Sequence, residues 1–195
     1  MFSIVFAGLI FTLMILTSSK GVDHVFGDSV ISTISVEKFP QAILFNPANN
    51  NIYVANRDSG TVSIIESTNS TVINNIDVGM SPQAILFNPA NENIYVANYG
   101  SGTVSVIGGS NQTLLGTTVV GTEPVALEFN PSNNNIYVAN MVSNSVSVID
   151  SISNEVSETL NVNNVPLALT YNPSNNGTYV TGTLSGTDGL VTLIH

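Results

Sequence analysis

The sequence contains no cysteine and no tryptophan, and only three of its 195 residues are lysine or arginine. Without cysteine, an exported fold would have to rely on burial and strand pairing instead of disulfides. The formal net charge of −10 argues against nucleic acid and an anionic membrane surface as partners, because phosphate groups are bound chiefly by lysine and arginine. Charged residues are only 8% of the chain, so its solvated surface must consist largely of asparagine, serine and threonine.

An uncharged apolar run occupies residues 2–16, near the initiator methionine. As a helix it would be about 22 Å long, which is short of the ~30 Å hydrocarbon core of a membrane. Small residues follow at 17–19, as a signal-peptidase site prefers, although the run has no preceding lysine or arginine and no A-x-A. We predict that residues 1–19 are a cleaved export signal, with an uncleaved membrane anchor as the alternative, and that residues 20–29 are a linker. The protein is then expected outside the cell or at its surface.

The rest of the chain is built from four repeats at a constant spacing of 42 residues. PQAILFNPANNNIYVAN at 40–56 returns as PQAILFNPANENIYVAN at 82–98, as PVALEFNPSNNNIYVAN at 124–140 and as PLALTYNPSNNGTYVTG at 166–182. The repeats begin at Pro40, Pro82, Pro124 and Pro166. A period of about 40 residues rich in short strand patterns is the signature of a β-propeller, with one four-stranded blade per repeat. We therefore predict an all-β propeller over residues 30–195.

Each repeat divides into four strand-like runs, which we call strands a to d. In the first repeat they are residues 41–45, 52–55, 62–65 and 72–78. Strands a to c are nearly continuously apolar, as expected for strands covered on both faces by neighbouring blades. Strand d alternates, as expected for an outer edge that faces water. Strand d is thus predicted to be the outermost strand of each blade.

Two positions hold related residues in every repeat. Strand b carries a tyrosine in constant register, and this constancy predicts a core scaffold position in preference to a carbohydrate-stacking platform. These tyrosines are Tyr53, Tyr95, Tyr137 and Tyr179. The slot between strands b and c holds glycine or asparagine, the residues that a left-handed turn position accepts. Its occupants are Gly60, Gly102, Asn144 and Gly186.

The fourth repeat ends with its strand c, at residues 191–194, and has no strand d. Residues 30–36 (VISTISV) match the apolar pattern of strand d. We therefore predict that this N-terminal strand completes the last blade and closes a four-bladed ring, the lower limit for propellers. The alternative is an arc of four blades that stays open or assembles with a second chain.

The motif Tyr-Val-Ala-Asn at 53–56, 95–98 and 137–140, with Tyr-Val-Thr at 179–181, resembles the YVTN β-propeller repeat. The segments at 103–107 and 145–150 continue the same pattern. The resemblance covers residues 30–195 and implies a cell-surface or surface-layer-like protein, notably of archaea and other prokaryotes. Distant relatives of that family include lactonase-type and quinoprotein-type propellers. This chain departs from the family in having four repeats, whereas relatives often close with about seven blades.

A lactonase-type or metal-dependent propeller enzyme needs histidine and carboxylate groups that converge on the channel mouth. The two histidines, His24 and His195, lie in the predicted linker and at the last position, and Glu66 and Asp150 are expected to be turn-forming acceptors. We predict a non-enzymatic protein without catalytic residues, metal site or cofactor. The alternatives are a reduced lactonase-like hydrolase that acts on a lactone or sugar derivative, and a truncated paralogue with no independent role.

Function is expected where the repeats differ, at the b–c and d–a loops, which share one face of a propeller. We call this the loop face. Its aromatic, methionine and charged residues stand against a polar background, as in recognition surfaces. The candidate binding residues are Lys38, Phe39, Arg57, Asp58, Met80, Tyr99, Glu123 and Met141.

The cations Lys38 and Arg57 both flank the first blade, which predicts a weak contact site for an anionic group of a glycan or a partner protein. The alternative is that Glu37 and Asp58 neutralise them in exposed pairs worth less than ~1 kcal/mol. The predicted partners are cell-surface proteins or glycans, with self-association as a further option, and a membrane only through an uncleaved N-terminal segment. Glycosylation sequons at Asn69, Asn111 and Asn176 are no more frequent than chance predicts.

Overall fold

The computed structural model describes residues 30–183 and 188–195, and this part of the chain forms fifteen β-strands. The chain divides into two compact units, Met1–Thr33 and Ile34–His195, and all fifteen strands belong to the second. The predicted signal or anchor, the predicted linker and Gly186 lie outside the described residues. Within those residues, no helix is long and apolar enough to cross a membrane.

Each repeat folds into one antiparallel sheet in which neighbouring strands are also neighbours in sequence. The first sheet contains β1 (Pro40–Asn46), β2 (Asn51–Asn56), β3 (Thr61–Glu66) and β4 (Thr71–Asp77). The second contains β5 (Pro82–Phe87), β6 (Ile94–Asn98), β7 (Thr103–Ile107) and β8 (Leu114–Val119). The third contains β9 (Pro124–Asn130), β10 (Asn135–Asn140), β11 (Ser145–Asp150) and β12 (Glu155–Asn161). The fourth contains β13 (Val165–Asn172), β14 (Gly177–Thr183) and β15 (Gly189–Ile194). This arrangement confirms the prediction of an all-β chain with one blade per repeat.

The asparagine-rich segment between strands a and b forms its turn through its own side chains. In the first repeat, Asn46 Oδ1 accepts a hydrogen bond from the Ala48 N–H at 2.9 Å, and Asn49 Oδ1 accepts one from the Asn51 N–H at 3.0 Å. Asn50 between them has a left-handed φ of 57°. Such local bonds replace the backbone bonds that a strand would otherwise make, so this composition ends strand a and begins strand b.

The glycine and asparagine slot between strands b and c is left-handed, as predicted. Gly60, Gly102 and Asn144 have φ values of 66°, 63° and 50°. In each of the first three blades the carbonyl at this slot accepts a hydrogen bond from the first residue after strand d, at 2.9–3.0 Å. These donors are Val78, Val120 and Val162. The turn therefore also fixes the end of the outermost strand.

The hydrophobic core consists of three separate clusters, one between each pair of successive blades. Each blade presents to the next blade a forward face that carries the strand b tyrosine. It presents to the preceding blade a backward face of isoleucine and valine. In the first cluster, Tyr53 of the first blade packs with Ile94 and Val96 of the second. Tyr95 packs likewise with Ile136 and Val138 of the third blade, and Tyr137 with Val180 and Ile194 of the fourth. The tyrosines Tyr53, Tyr95 and Tyr137 are 0%, 0% and 3% exposed, which confirms the prediction that they are scaffold residues.

The N-terminal closing strand is not formed. Residues 30–36 adopt no strand, Val30 and Ile31 are 89% and 93% exposed, and the fourth sheet has three strands in the order β13-β14-β15. Strand a contacts strand a of the next blade from β1 to β5, β5 to β9 and β9 to β13, and among the described strands no comparable contact joins β13 to β1. An alternating apolar pattern specifies only which side of a strand would be buried. Pairing also needs the two end blades to meet, and they do not.

Candidate binding site on the loop face

Backbone hydrogen bonds join the b–c and d–a loops of each of the first three blades. The N–H groups of Arg57, Tyr99 and Met141 donate to the carbonyls of Phe39, Ser81 and Glu123 at 2.8, 3.0 and 2.9 Å. The acceptor residues all have left-handed φ values of 54–56°, which turn each d–a loop back towards its own blade. The b–c and d–a loops, which carry all eight candidate residues, thus meet at the same end of each of these blades.

An open cleft of about 600 Å³ lies on the loop face between the first two blades. Lys38, Arg57 and Asp58 line its first-blade side, and Met80 and Ser81 line its second-blade side. Two of the candidate residues are strongly exposed for apolar side chains, Phe39 at 55% and Met80 at 64%. The cleft therefore combines two cations with accessible apolar surface.

Contacts between the d–a and b–c loops order the surroundings of the two cations in the first blade. The Arg57 guanidinium lies 5.7 Å from the centre of the Phe39 ring, a cation–π contact that orients it on the loop face. The Lys38 N–H donates to Ser59 Oγ at 2.9 Å, and the Ser59 hydroxyl lies 3.5 Å from Glu37 Oε2, to which it donates. These contacts fix the backbone of the d–a loop against the b–c loop.

A second open cleft, of about 390 Å³, lies between the second and third blades and contains Tyr99 and Glu123. The Tyr99 hydroxyl donates to Glu123 Oε2 at 2.6 Å. This hydrogen bond raises the pKa of Tyr99 above its ordinary value, and the charge of Arg57 acts in the opposite direction. The two clefts adjoin, because the N–H groups of Tyr99 and Gly100 in the second cleft donate to the carbonyls of Ser81 and Met80 in the first, at 3.0 and 2.9 Å. The loop face therefore carries a cationic region beside an acceptor region.

Glu66 and Asp150 lie at the opposite end of the blades from the loop face, and both are turn acceptors as predicted. Asp150 Oδ1 accepts hydrogen bonds from the N–H groups of Ile152 and Ser153 at 2.9 and 2.8 Å. These two bonds, that of Ser153 foremost, lower the pKa of the Asp150 carboxyl. Glu66 accepts from the Asn69 side-chain amide. Within residues 30–183 and 188–195, no three histidine, aspartate or glutamate side chains are grouped as metal ligands would be.

A side-chain network that the repeat pattern had not led us to expect joins strands b and c beneath the loop face. In the first blade Asn56 Nδ2 donates to Thr61 Oγ1 at 3.1 Å and to Ser63 Oγ at 2.8 Å, which joins strand b to strand c. Asn98 and Asn140 make the same pair of bonds in the next two blades. The asparagine of Tyr-Val-Ala-Asn and the serine of Thr-Val-Ser recur seven residues apart, which is the signal that could have revealed this contact.

Comparison with known proteins agrees with this architecture. A family model described as "Lactonase, 7-bladed beta-propeller" matches residues 29–120, which is less than half of the chain. Among curated protein sequences, none matches this chain.

Three solved structures resemble the fold. Hydrazine synthase of Kuenenia stuttgartiensis is 20% identical to this chain, with a TM-score of 0.74. The matched region covers 86% of this chain and 49% of the hydrazine synthase chain. The dihydro-heme d1 dehydrogenase NirN, in complex with DHE, is 14% identical to this chain, with a TM-score of 0.67. The matched region covers 82% of this chain and 36% of the NirN chain. The WD40 β-propeller domain of Doa1 is 13% identical to this chain, with a TM-score of 0.61. The matched region covers 77% of this chain and 48% of the Doa1 chain.

The repeats, the four sheets and these likenesses together define the chain as a β-propeller protein. The chain spans about half or less of the solved structures that it matches. At identities of 13–20% the likeness concerns the fold alone.

Proposed function

We propose that this protein is an exported, non-enzymatic β-propeller at the cell surface, and that its loop face binds an acidic glycan. The contact region is the cleft of Lys38, Arg57 and Met80. The resemblance of its repeats to the YVTN pattern supports the surface location. The finer identity of the ligand follows from the chemistry of the cleft.

The observation that carries this proposal is the position of the two cations. Lys38 and Arg57 are the only lysine and arginine in the described residues of a chain with net charge −10, and both line one cleft. A guanidinium binds a carboxylate through paired hydrogen bonds, whereas a lysine contributes a point charge. The exposed Phe39 ring and Met80 side chain beside them offer apolar surface for the faces of sugar rings. A uronic-acid oligosaccharide presents a carboxylate for the two cations and sugar-ring faces for the apolar side chains.

The test is calorimetric titration of the full chain with a uronic-acid oligosaccharide and with its neutral counterpart. We expect binding of the acidic sugar alone, and a loss of roughly 10-fold or more in affinity for Lys38→Ala and for Arg57→Ala, since each removes a charge-assisted contact of about 1.5–3 kcal/mol. Arg57→Lys should retain part of the affinity. Binding should weaken with salt because the contact is exposed.

Asn111→Asp is the matched control for net charge. It also makes the chain one unit more negative, but at a c–d turn where Asn111 Oδ1 accepts from the Thr113 N–H, a role that aspartate can keep. We expect its affinity to equal that of the original chain. Equal binding by the double variant Lys38→Ala/Arg57→Ala and the original chain would refute the proposal. In that case Glu37 and Asp58 neutralise the cations and the cleft has no ligand of this kind.

The family model that matches residues 29–120 favours a second candidate, a lactonase-like hydrolase. Its test is release of acid from simple lactones and sugar lactones by the purified chain, with and without added divalent cations. Turnover that is lost on chelation would establish this function in place of the first.

A further inference from the structure

The forward face of the fourth blade is exposed where the corresponding faces are buried. Strand pairing aligns Tyr179 with Leu193 and Thr181 with Val191, as Tyr53 is aligned with Ile64 and Ala55 with Val62. Leu193 and Val191 are 41% and 64% exposed. The residues at these two positions of strand c in the first three blades are only 0–4% exposed. These buried counterparts are Val62, Ile64, Val104, Val106, Val146 and Val148.

On the backward face of the first blade the contrast is confined to strand a, because Val54 on strand b and Ile65 on strand c are only 5% and 6% exposed. Ile43 and Phe45 are 71% and 50% exposed. Their counterparts in the second and third blades are partly buried because they pack on the preceding blade. These counterparts are Ile85, Phe87, Leu127 and Phe129. A shallow cleft of about 260 Å³ lined by Ala42, Ile43 and Val54 opens on this side.

The forward face of the fourth blade and the exposed strand a of the first blade's backward face match the two halves of an interface that the molecule already contains three times. Each internal interface joins a forward face with its tyrosine to a backward face of aliphatic residues. The end blades leave one face of each kind without a neighbouring blade among the described strands. The forward face of the fourth blade is therefore of the kind that packs on a backward face, and a backward face without a neighbouring blade is present on the first blade of the same chain.

Hydrogen bonds at the turns specify the same pairing. Asn49 Nδ2 donates to the Gly109 carbonyl at 2.8 Å, and Asn91 Nδ2 donates to the Ser151 carbonyl at 2.8 Å, in each case on the c–d turn of the next blade. At the equivalent position of the fourth repeat stands Asn175, whose amide donates to Tyr179 as the others do to their tyrosines. The carbonyl equivalent to those of Gly109 and Ser151 in the first repeat belongs to Ser67.

We propose that the forward face of the fourth blade binds the backward face of the first blade in a second copy of this chain. Leu193 and Val191 then pack against Ile43 and Phe45 of the other copy, and Asn175 donates to its Ser67 carbonyl. The contact is head-to-tail, so it closes into a ring when the rotation permits. Two copies joined at both ends present eight blades, within the range of about four to eight that propellers adopt. This surface is distinct from the loop-face cleft and does not depend on the proposed ligand.

The experiment uses two variants of the full chain that each break one face. Leu193→Glu places a charge on the forward face of the fourth blade, and Ile43→Glu places one on the backward face of the first. Each variant alone has a single intact face and should lose self-association by at least about 100-fold, since burying an unpaired charge costs several kcal/mol. Mixed in equal amounts, they should form a one-to-one dimer, because the mixture again contains one intact face of each kind.

The measurement is molar mass by sedimentation velocity, with one variant carrying a fluorescent label in the mixture. The original chain should sediment at twice 20.5 kDa at concentrations of about 1–100 µM. Val119→Glu is the matched control, because Val119 is 75% exposed on the outer strand of an internal blade and lies on neither end face. It should assemble as the original chain does. Residues 2–16 are unchanged in all variants, so association through that apolar run would persist in every sample.

Several results would overturn the proposal. One is a monomeric original chain throughout the concentration range. Another is a variant that assembles alone as well as the original, which would show like-with-like pairing or association elsewhere. A third is a mixture of the two variants that stays monomeric while circular dichroism shows both to be folded. Loss of glycan binding in Lys38→Ala has no bearing on any of these results, so the two proposals fail separately.

Discussion

Ile64 and Leu193 occupy the same position on strand c of the first and fourth blades, and both are aligned with the strand b tyrosine. Ile64 is fully buried, whereas Leu193 is 41% exposed. The residues are of similar size and hydrophobicity, so their own chemistry does not explain the difference. The second blade covers Ile64, whereas among the described strands none packs over Leu193 in the same way. In a repeat architecture each unit contacts only its neighbours, and burial is therefore a property of the interface between units.

The largest effect should come from truncating this pair of residues. Ile64→Ala should lower the free energy of unfolding by about 2–5 kcal/mol, because it leaves a cavity in a closed core. Leu193→Ala should lower it by roughly 1 kcal/mol or less when the chain is dilute, because the side chain is already partly in water. Urea denaturation at about 10 nM protein, well below the concentrations at which the chain is expected to assemble, measures both. Equal losses in the two variants would contradict the view that the end blade is open.

The same pair sharpens the proposal of head-to-tail assembly. If Leu193 is buried against a second copy, the loss caused by Leu193→Ala should grow as protein concentration rises, since assembly adds to stability by mass action. The loss caused by Ile64→Ala should not. Denaturation at two concentrations that differ about 100-fold makes this comparison.

A smaller effect is expected for the tyrosine hydroxyls. Tyr95 OH donates to Asn154 of the next blade at 2.6 Å and accepts from Asn91 at 3.1 Å. Tyr95→Phe should cost about 0.5–1.5 kcal/mol, since it removes these bonds and leaves their partners unsatisfied. Tyr179 OH accepts from Asn175 at 2.8 Å at the exposed end of the molecule, so Tyr179→Phe should cost no more than about 0.5 kcal/mol. Thermal unfolding of the two variants would show whether the hydroxyl bond to the next blade makes this difference.

The smallest effect concerns a carboxyl between the third and fourth blades. Desolvation raises the pKa of Glu128 above its ordinary value, although the Tyr171 N–H donates to Glu128 Oε1 at 3.0 Å. A raised pKa means that the folded chain binds the proton more tightly than the unfolded chain. The stability due to Glu128 is thus present in full below its unfolded pKa, and it is lost as the pH rises through its folded pKa.

Glu128→Gln should therefore be more stable than the original chain at neutral pH and should lose this part of the pH dependence. The glutamine oxygen still accepts from Tyr171. Thr170→Glu is the matched comparison, because Thr170 occupies the same position on the exposed forward face of the fourth blade. It should add no such pH dependence. Denaturation between pH 4 and pH 8 tests both variants, and an unchanged profile for Glu128→Gln would contradict the assignment.

Much of the fold could be predicted because the repeats constrain one another. The predicted strand a at 41–45 and strand b at 52–55 became β1 and β2 with one additional residue at each end. The left-handed slot at Gly60 followed from its replacement by asparagine at Asn144, and both have positive φ. Conformation at these places depends on local residues, which the sequence displays directly.

Other features could not be predicted because they depend on distance between segments. Residues 30–36 have the pattern of strand d, but pattern does not indicate whether a free strand edge lies within reach. The adjacent clefts of Arg57 and Tyr99 depend on how closely neighbouring blades approach. The loop face was predicted from topology, while the contact between Arg57 and the Phe39 ring depends on side-chain rotamers.

The sequence by itself determined the class, the number of blades and the faces of each strand, because periodicity and turn chemistry act over a few residues. Tertiary structure alone decided that the forward faces of the first three blades are buried and that of the fourth is exposed. Val106 and Val191 lie on the same face of the same strand in different blades, at 1% and 64% exposure. The hydrophobic effect acts on surface removed from water, and that surface depends on the neighbouring blade that covers it.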